Sequence, residues 1–305
     1  MKLSYLFSGQ GKQFAGMGQD IYQQESIYRD TIEEASDILH LDLRNPDVMS
    51  DPKNTQVAIV TMSTGIYRIL EKDVGAPIGA AGLSLGEYSA LIAARGIQFE
   101  DALPLVHDRS QYMDRAGQNH PGKMAAVLKA NPDIVREACR VGSQAGEIYP
   151  ANYNTTSQIV IGGSEAGLAA ATDFLHEHGI KRVVPLKMTV ASHTPFMQEA
   201  SDLLADRVVN VAFHDFKFPV ISNTTKQPFE LAHVKQTLVD QLVNPTYFVD
   251  CLQALHNLDS QAMIEIGPGD TLMKFALKSI PNVQAYHVDS VATLNEVRTN
   301  MKLVK

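Results

Sequence analysis

The sequence predicts an α/β protein: a large domain built on a mostly parallel sheet, with a smaller domain inserted in it. Three observations carry this. Short apolar runs without charge alternate with helix-length amphipathic stretches at both ends of the chain, the pattern of strands covered on two faces. Between residues 122 and 188 the rhythm changes to β-α-β-β-α-β. A glycine-flanked serine, Gly82-Leu83-Ser84-Leu85-Gly86, lies where one apolar run meets a helical stretch. With 305 residues, 45% hydrophobic and 20% charged, the chain has the composition of a soluble globular protein with a substantial core.

Taken in order, Leu3-Ser4-Tyr5-Leu6-Phe7 reads as a first buried strand, followed by the polar loop Ser8-Gly9-Gln10-Gly11-Lys12-Gln13. Helices are expected near 26–39 and 54–71, then a strand at 77–82 and a helix through 87–94. A further helix at 100–116 carries Leu103, Val106 and Met113. The changed rhythm follows: strand 124–128, helix 131–143, strands 147–152 and 158–162, helix 164–178 and strand 182–187. This is the split ferredoxin-like arrangement, self-contained and able to sit inside a larger fold. Helix 195–207, strand 218–222, helices within 229–257, strand 262–266, helix 270–279 and strand 283–288 then resume the first pattern. The expected organisation is therefore a discontinuous large domain, 1–121 and 189–305, around a small ferredoxin-like domain, 122–188. No internal repeat or low-complexity tract is present.

Composition narrows the function. No uncharged apolar stretch approaches the roughly 20 residues that cross a bilayer. Met1-Lys2-Leu3-Ser4 leads into a strand rather than a signal peptide, so a cytoplasmic protein without membrane attachment is expected. Cys139 and Cys251 are too few for a disulfide scaffold and lie in no metal-spaced cluster. A net charge of -8 with no long basic run argues against nucleic-acid binding. An acidic protein partner would need a local basic patch, for which Lys181-Arg182 and Lys274 with Lys278 are candidates; each is also readable as solvated surface charge.

The chemistry centres on Ser84. Glycines two residues to either side relieve crowding in a sharp strand-to-helix turn, so the hydroxyl projects from a strained backbone: a nucleophile elbow on an α/β-hydrolase-like body. The same five residues are compatible with a tight glycine turn holding an incidental serine; the strand-turn-helix setting favours the elbow. The Leu85 amide, among the first of the following helix, has no partner within it and can point at developing negative charge. A serine hydroxyl needs a base, and of ten histidines His193 has the most suggestive setting, in Thr189-Val190-Ala191-Ser192-His193-Thr194-Pro195, a loop opening a helix just after the inserted domain.

At this point the chain resembles a known family, the malonyl-CoA:acyl carrier protein transacylases and the related acyltransferase domains of polyketide synthases. Gly9-Gln10-Gly11-Lys12-Gln13 is similar to the family's amino-terminal loop, and Gly82-Leu83-Ser84-Leu85-Gly86-Glu87-Tyr88 to its extended nucleophile motif. Arg109 stands in the place of a helical arginine about 25 residues later, and His193 in that of the histidine. Gln241-Leu242-Val243-Asn244-Pro245 and Glu265-Ile266-Gly267-Pro268-Gly269 match two further signatures. The resemblance implies Ser84 as nucleophile, His193 as base and then acid, and the Gln241 carbonyl in place of a triad carboxylate. It implies an oxyanion hole from the Gln10 and Leu85 N–H groups, and Arg109 as a bidentate clamp on the malonyl carboxylate. Asn154, Gln158 and Asn223 resemble residues of the cleft border, although each side-chain amide is also suited to stabilising a turn. Acyl transfer to acyl carrier protein with no metal or redox cofactor, coenzyme A thioester as substrate, and a monomer are the remaining implications. The acidic carrier implies a basic rim, with Lys181, Arg182, Lys274 and Lys278 as candidate members.

Several positions depart from the commonest pattern. Leu83 stands where histidine is usual, Ser8 for proline, Lys12 for serine or alanine, Ser110 for glycine, and Thr246-Tyr247-Phe248 for a Val-Arg-Trp-like run. Ser192 before the histidine replaces a bulky phenylalanine, which leaves a branched unit such as methylmalonyl open beside malonyl. An α/β serine hydrolase or thioesterase using the same elbow is the alternative reaction; no motif identifies the acid such an enzyme would use. A noncatalytic carrier-binding member is disfavoured by the joint presence of Ser84, His193 and Arg109.

Overall fold

The computed structural model describes residues 2–187 and 190–302. In chain order the elements are β1 (Leu3–Phe7), α1 (Gln19–Gln24), α2 (Ser26–Leu39), α3 (Pro46–Met49), α4 (Thr55–Asp73), β2 (Gly79–Gly82), α5 (Gly86–Ala93) and α6 (Phe99–Asn119). Next come β3 (Lys123–Leu128), α7 (Pro132–Gly142), β4 (Ile148–Thr155), β5 (Gln158–Gly163), α8 (Glu165–Glu177) and β6 (Val183–Pro185). The chain continues through α9 (Gln198–Val208), β7 (Val220–Ile221), α10 (Val234–Asp240), α11 (Phe248–Asn257), β8 (Ala262–Ile266), α12 (Thr271–Ser279), β9 (Gln284–Val288) and α13 (Val291–Lys302). Two compact units result, one of Met1–Asp108, Asn210–Val234 and Cys251–Lys305, the other of Arg109–Val209 and Lys235–Asp250.

The first unit holds a five-stranded sheet in the order β7-β2-β1-β8-β9, every pairing parallel. At its centre Tyr5 of β1 pairs with Ala80 on one side and Ile264 on the other. Every residue of β1, β2 and β8 is buried, which is why their sequences run apolar instead of alternating. Gly65 of α4 lies so close to the Tyr28 ring of α2 that a Cβ would come within 2.7 Å of it, so this crossing requires glycine.

The second unit contains a four-stranded antiparallel sheet in the order β4-β5-β3-β6, with α7 and α8 packed on it, the ferredoxin-like arrangement expected from the β-α-β-β-α-β rhythm. Its core includes Val127, Val135, Ile148, Ile159, Ile161 and Leu175. Asn131 and Ser164 start the two helices by accepting N–H bonds from Ile134 and Gly167. Strand β4 runs to Thr155, past the 152 expected, because register shifts near Pro150 and Tyr153 absorb extra residues. Beyond the sheet, the Tyr153 N–H donates to the Thr246 carbonyl at 2.7 Å and the Thr246 N–H to that of Ala151 at 2.9 Å.

Elsewhere the expected and observed elements differ mainly at their ends. The helix expected at 195–207 starts as a 3-10 turn over Pro195–Met197, with the Thr194 hydroxyl accepting from the Phe196 N–H. Strands β6 and β7 are shorter than expected. The short helices α1 and α3 and the polar α13 carry no pattern strong enough to read in advance. The expected domain boundary at 188/189, including Thr189, lies outside the described residues.

Candidate active site

In the first unit the chain leaves β2 at Gly82 and enters α5 at Gly86, with Ser84 between them at a φ of 52°. A non-glycine residue in this left-handed region is held there at a cost of about 1–2 kcal/mol. Both glycines are obligatory: a Cβ on Gly82 would lie 2.0 Å from the Gly86 carbonyl carbon, and one on Gly86 would lie 2.1 Å from the Phe7 oxygen. The amide of Leu85 sits at the mouth of α5, where N–H groups lack intrahelical acceptors and the helix dipole is positive.

Asn223, expected at a cleft edge, is fully buried and clasps this turn. Its Oδ1 accepts the Ser84 N–H at 2.8 Å and its Nδ2 donates to the Gly82 carbonyl at 2.7 Å. Its own backbone N–H donates to the carboxylate of Glu87, a wholly buried residue of α5. The Asn223–Glu87 pair under the elbow was not read from the sequence. A lone acid heading the apolar stretch Tyr88-Ser89-Ala90-Leu91-Ile92-Ala93 was the available signal, since a buried carboxylate must be hydrogen-bonded.

Loop 8–13 packs against the same turn. A Cβ on Gly9 would fall 2.5 Å from the Leu83 oxygen, so the backbone of Gly9 lies directly on the elbow and carries Gln10 beside it. The Gln10 side chain accepts from Gln56 Nε2 at 3.1 Å, an interaction that leaves its backbone amide uncommitted to that bond.

The second unit holds Arg109, His193, Gln241, Asn154 and Gln158. Gln241 bridges two of them. Its carbonyl accepts from His193 Nδ1 at 2.7 Å, and its side-chain Oε1 accepts from Arg109 Nη2 at 3.1 Å. A carbonyl can only accept, so Nδ1 carries the ring proton and Nε2 presents its lone pair. His193 also has a left-handed φ, 62°, and its N–H donates to the Leu242 carbonyl at 3.0 Å. Burial is the main influence on its imidazole, which is pushed down to about 4 with help from the Arg109 charge and against the Gln241 carbonyl. The ring is therefore neutral at pH 7, as a general base must be.

Arg109 on α6 is wholly buried. A guanidinium taken out of water must be hydrogen-bonded, and the Gln241 side-chain oxygen supplies one such bond. Asn154 lies on β4 at 6% exposure with no hydrogen-bond partner for Oδ1 among the described residues. Gln158 starts β5, half-buried. Of the basic candidates, Lys181 and Arg182 are exposed in the second unit, while in the first Lys274 is exposed but paired with Asp270 at 2.6 Å. No cluster of three or more His, Cys, Asp or Glu suited to a metal ion occurs among the described residues.

The chain is similar to known proteins along nearly its whole length. The malonyl CoA-acyl carrier protein transacylase of Bacillus subtilis is 33% identical over 279 residues, spanning 89% of this chain and 88% of the relative. The solved MCAT of Streptococcus pneumoniae superposes with a TM-score of 0.94 at 38% identity, covering 98% of this chain and all of that one. A malonyl-transacylase solved in complex with a type II PKS acyl-carrier protein superposes with a TM-score of 0.93 at 31% identity, again over 98% of this chain and 100% of that one. Residues 4–302 match the acyl transferase domain family, and with relatives of this identity along nearly its whole length the chain belongs to that family.

Proposed function

We propose that this chain moves a malonyl group from coenzyme A to the phosphopantetheine thiol of acyl carrier protein, by way of an ester on Ser84, and so supplies extender units for fatty acid or polyketide synthesis. In this reading His193 Nε2 takes the Ser84 proton as Oγ attacks the thioester carbon. The oxyanion is received by the N–H groups of Gln10 and Leu85, and the imidazolium returns its proton to the departing thiol. The carrier's thiol then gives its proton to His193 and attacks the ester carbon; the bond to Ser84 Oγ breaks and the imidazolium returns the proton to that oxygen, restoring the free serine. The steps balance without a metal or redox cofactor. A monomer in the cytoplasm, needing neither membrane nor nucleic acid, completes the proposal. It is supported by the net charge of -8, and no described helix is long and apolar enough to cross a membrane.

The observation that carries the reading is the buried Arg109, joined through Gln241 to the histidine whose tautomer that same residue fixes. A fork of donors held within one residue of the base suits a substrate with an ionised carboxylate next to the reacting carbonyl. Replacing Arg109 with Ala should lower acylation by malonyl-CoA about 100-fold or more, and lower acylation by acetyl-CoA much less. Equal losses for the two thioesters would remove Arg109 from carboxylate binding.

A further inference from the structure

A second buried acid lies behind the oxyanion loop, and the acyl-transfer steps leave it unused. Glu265 is the lone charge in the apolar strand β8 and is 1% exposed. One of its oxygens accepts the Ser8 hydroxyl at 3.0 Å and the other accepts the Met273 N–H at 2.8 Å. The carboxylate thus caps the first turn of α12, for which Asp270 provides no side-chain cap. Through Ser8 it also grips the residue at which β1 becomes the loop. Ser8 is buried, and its N–H donates to the Ile266 carbonyl at 3.1 Å. Its Cβ packs where a side chain on Gly267 would stand, 3.0 Å away, at a φ of 116° that favours glycine. Two residues on, Gln10 presents the backbone amide assigned above to the oxyanion.

The geometry points to Glu265 as the positioning residue of this loop: its hydrogen bond to Ser8 fixes the height at which the Gln10 amide stands over the elbow, while its other oxygen anchors the assembly to α12. This rests on the acyl-transfer reading, in which Gln10 is an oxyanion donor. Because a misplacement of about 1 Å at a reacting centre is costly, a loop freed from this grip slows acylation without changing how substrate is held.

Glu265 also titrates in an informative range. Burial pushes its carboxyl up to about 7, against the bonds from Met273, Leu272 and Ser8, with Asp270 adding to the rise. The elements packed around it also carry Tyr5 on β1, Tyr67, Arg68, Glu71, Lys72 and Asp73 on α4, Lys278 and the Asp270-paired Lys274 on α12, and Tyr286 and His287 on β9, the last facing Asp289. Lys12, in the loop itself, lies over Gly269. A protonated carboxyl keeps both bonds by reversing one of them, its O–H donating to the Ser8 oxygen while the other oxygen still accepts from Met273, so the grip persists as pH falls through this range.

The test follows the first-order rate of ester formation on Ser84 by rapid quench and intact mass, as a function of pH and malonyl-CoA concentration. The wild type should show no acid limb above the His193 transition near 4, because Glu265 holds Ser8 in either protonation state. Glu265→Gln keeps both bonds at every pH, with Oε1 accepting from Met273 and Nε2 donating to the Ser8 oxygen. It should acylate at a rate near the wild-type maximum and stay flat from about pH 5.5 to 8. Ser8→Ala leaves the α12 cap intact and should lose about tenfold in the acylation rate constant with little change in half-saturation. A rate in Glu265→Gln as low as that of Ser8→Ala, or a wild-type rate in Ser8→Ala, overturns the assignment while the Ser84 ester still forms. If the wild type forms no Ser84 ester, the acyl-transfer reading fails and this assignment falls with it.

Discussion

Replacing Asn223 with alanine tests how the nucleophile is held. The substitution deletes the acceptor of the Ser84 N–H at 2.8 Å and the donor to the Gly82 carbonyl at 2.7 Å. The site is closed to water at Asn223, so each of the two stranded groups costs about 1–3 kcal/mol and the fold should lose about 2–6 kcal/mol. Ser84 is also released from its left-handed backbone, since the clasp that opposed its relaxation is gone. Acylation should therefore fall by about 100-fold, beyond any effect of partial unfolding at the assay temperature. Urea denaturation gives the first quantity and rapid-quench mass spectrometry the second. Asn223→Asp keeps an acceptor for Ser84 but turns an anionic oxygen toward the Gly82 carbonyl, so it should be no better than alanine. If Asn223→Ala unfolds within about 0.5 kcal/mol of the wild type and acylates within about twofold of it, the elbow is not held as described.

The two buried titrating groups have opposite effects on stability. His193 is lowered from 6.5 to about 4, so the unfolded chain binds its proton more readily and stability rises by about 3 kcal/mol as pH climbs through that window. Glu265 is raised from 4.5 to about 7, so the native state binds the proton more readily and stability falls by about the same amount over its window. Relative to the wild-type curve, His193→Gln should lose stability from pH 4 to 6.5 and Glu265→Gln should gain it from 4.5 to 7, by chemical denaturation at a series of pH values; parallel curves would refute both shifts. Gly86→Ala forces a Cβ to 2.1 Å from the Phe7 oxygen and should cost about 4 kcal/mol or more, measured the same way; a neutral effect would mean that β1 and α5 do not meet as described.

The parts of the fold that local pattern could reveal were those with continuous burial. Leu3–Phe7 and Ala262–Ile266 announce covered parallel strands, and the β-α-β-β-α-β order announces the antiparallel sheet. Ser84 was legible because the glycines that permit its backbone flank it in sequence. Asn223 and Glu87 lie 136 residues apart, and Ser8 and Glu265 lie 257 apart, so their pairing depends on strand order and no local signal could expose it. Arg109 was singled out only through the family resemblance, and its complete burial could not be read from its chain neighbours Asp108, Ser110 and Gln111. The end of β4 at Thr155 lies beyond register shifts near Pro150 and Tyr153, which break the regular alternation that would mark the strand in sequence.

The central claim is that Ser84 is transiently esterified with His193 as its base, and intact mass of the chain after brief exposure to malonyl-CoA tests it most directly. The wild type should carry a single malonyl group, mapped to the peptide containing Ser84 and removed on addition of holo acyl carrier protein. Ser84→Ala should carry none, and His193→Ala should acquire the group orders of magnitude more slowly. Label persisting on Ser84→Ala, or mapping to any other residue of the wild type, would contradict the account.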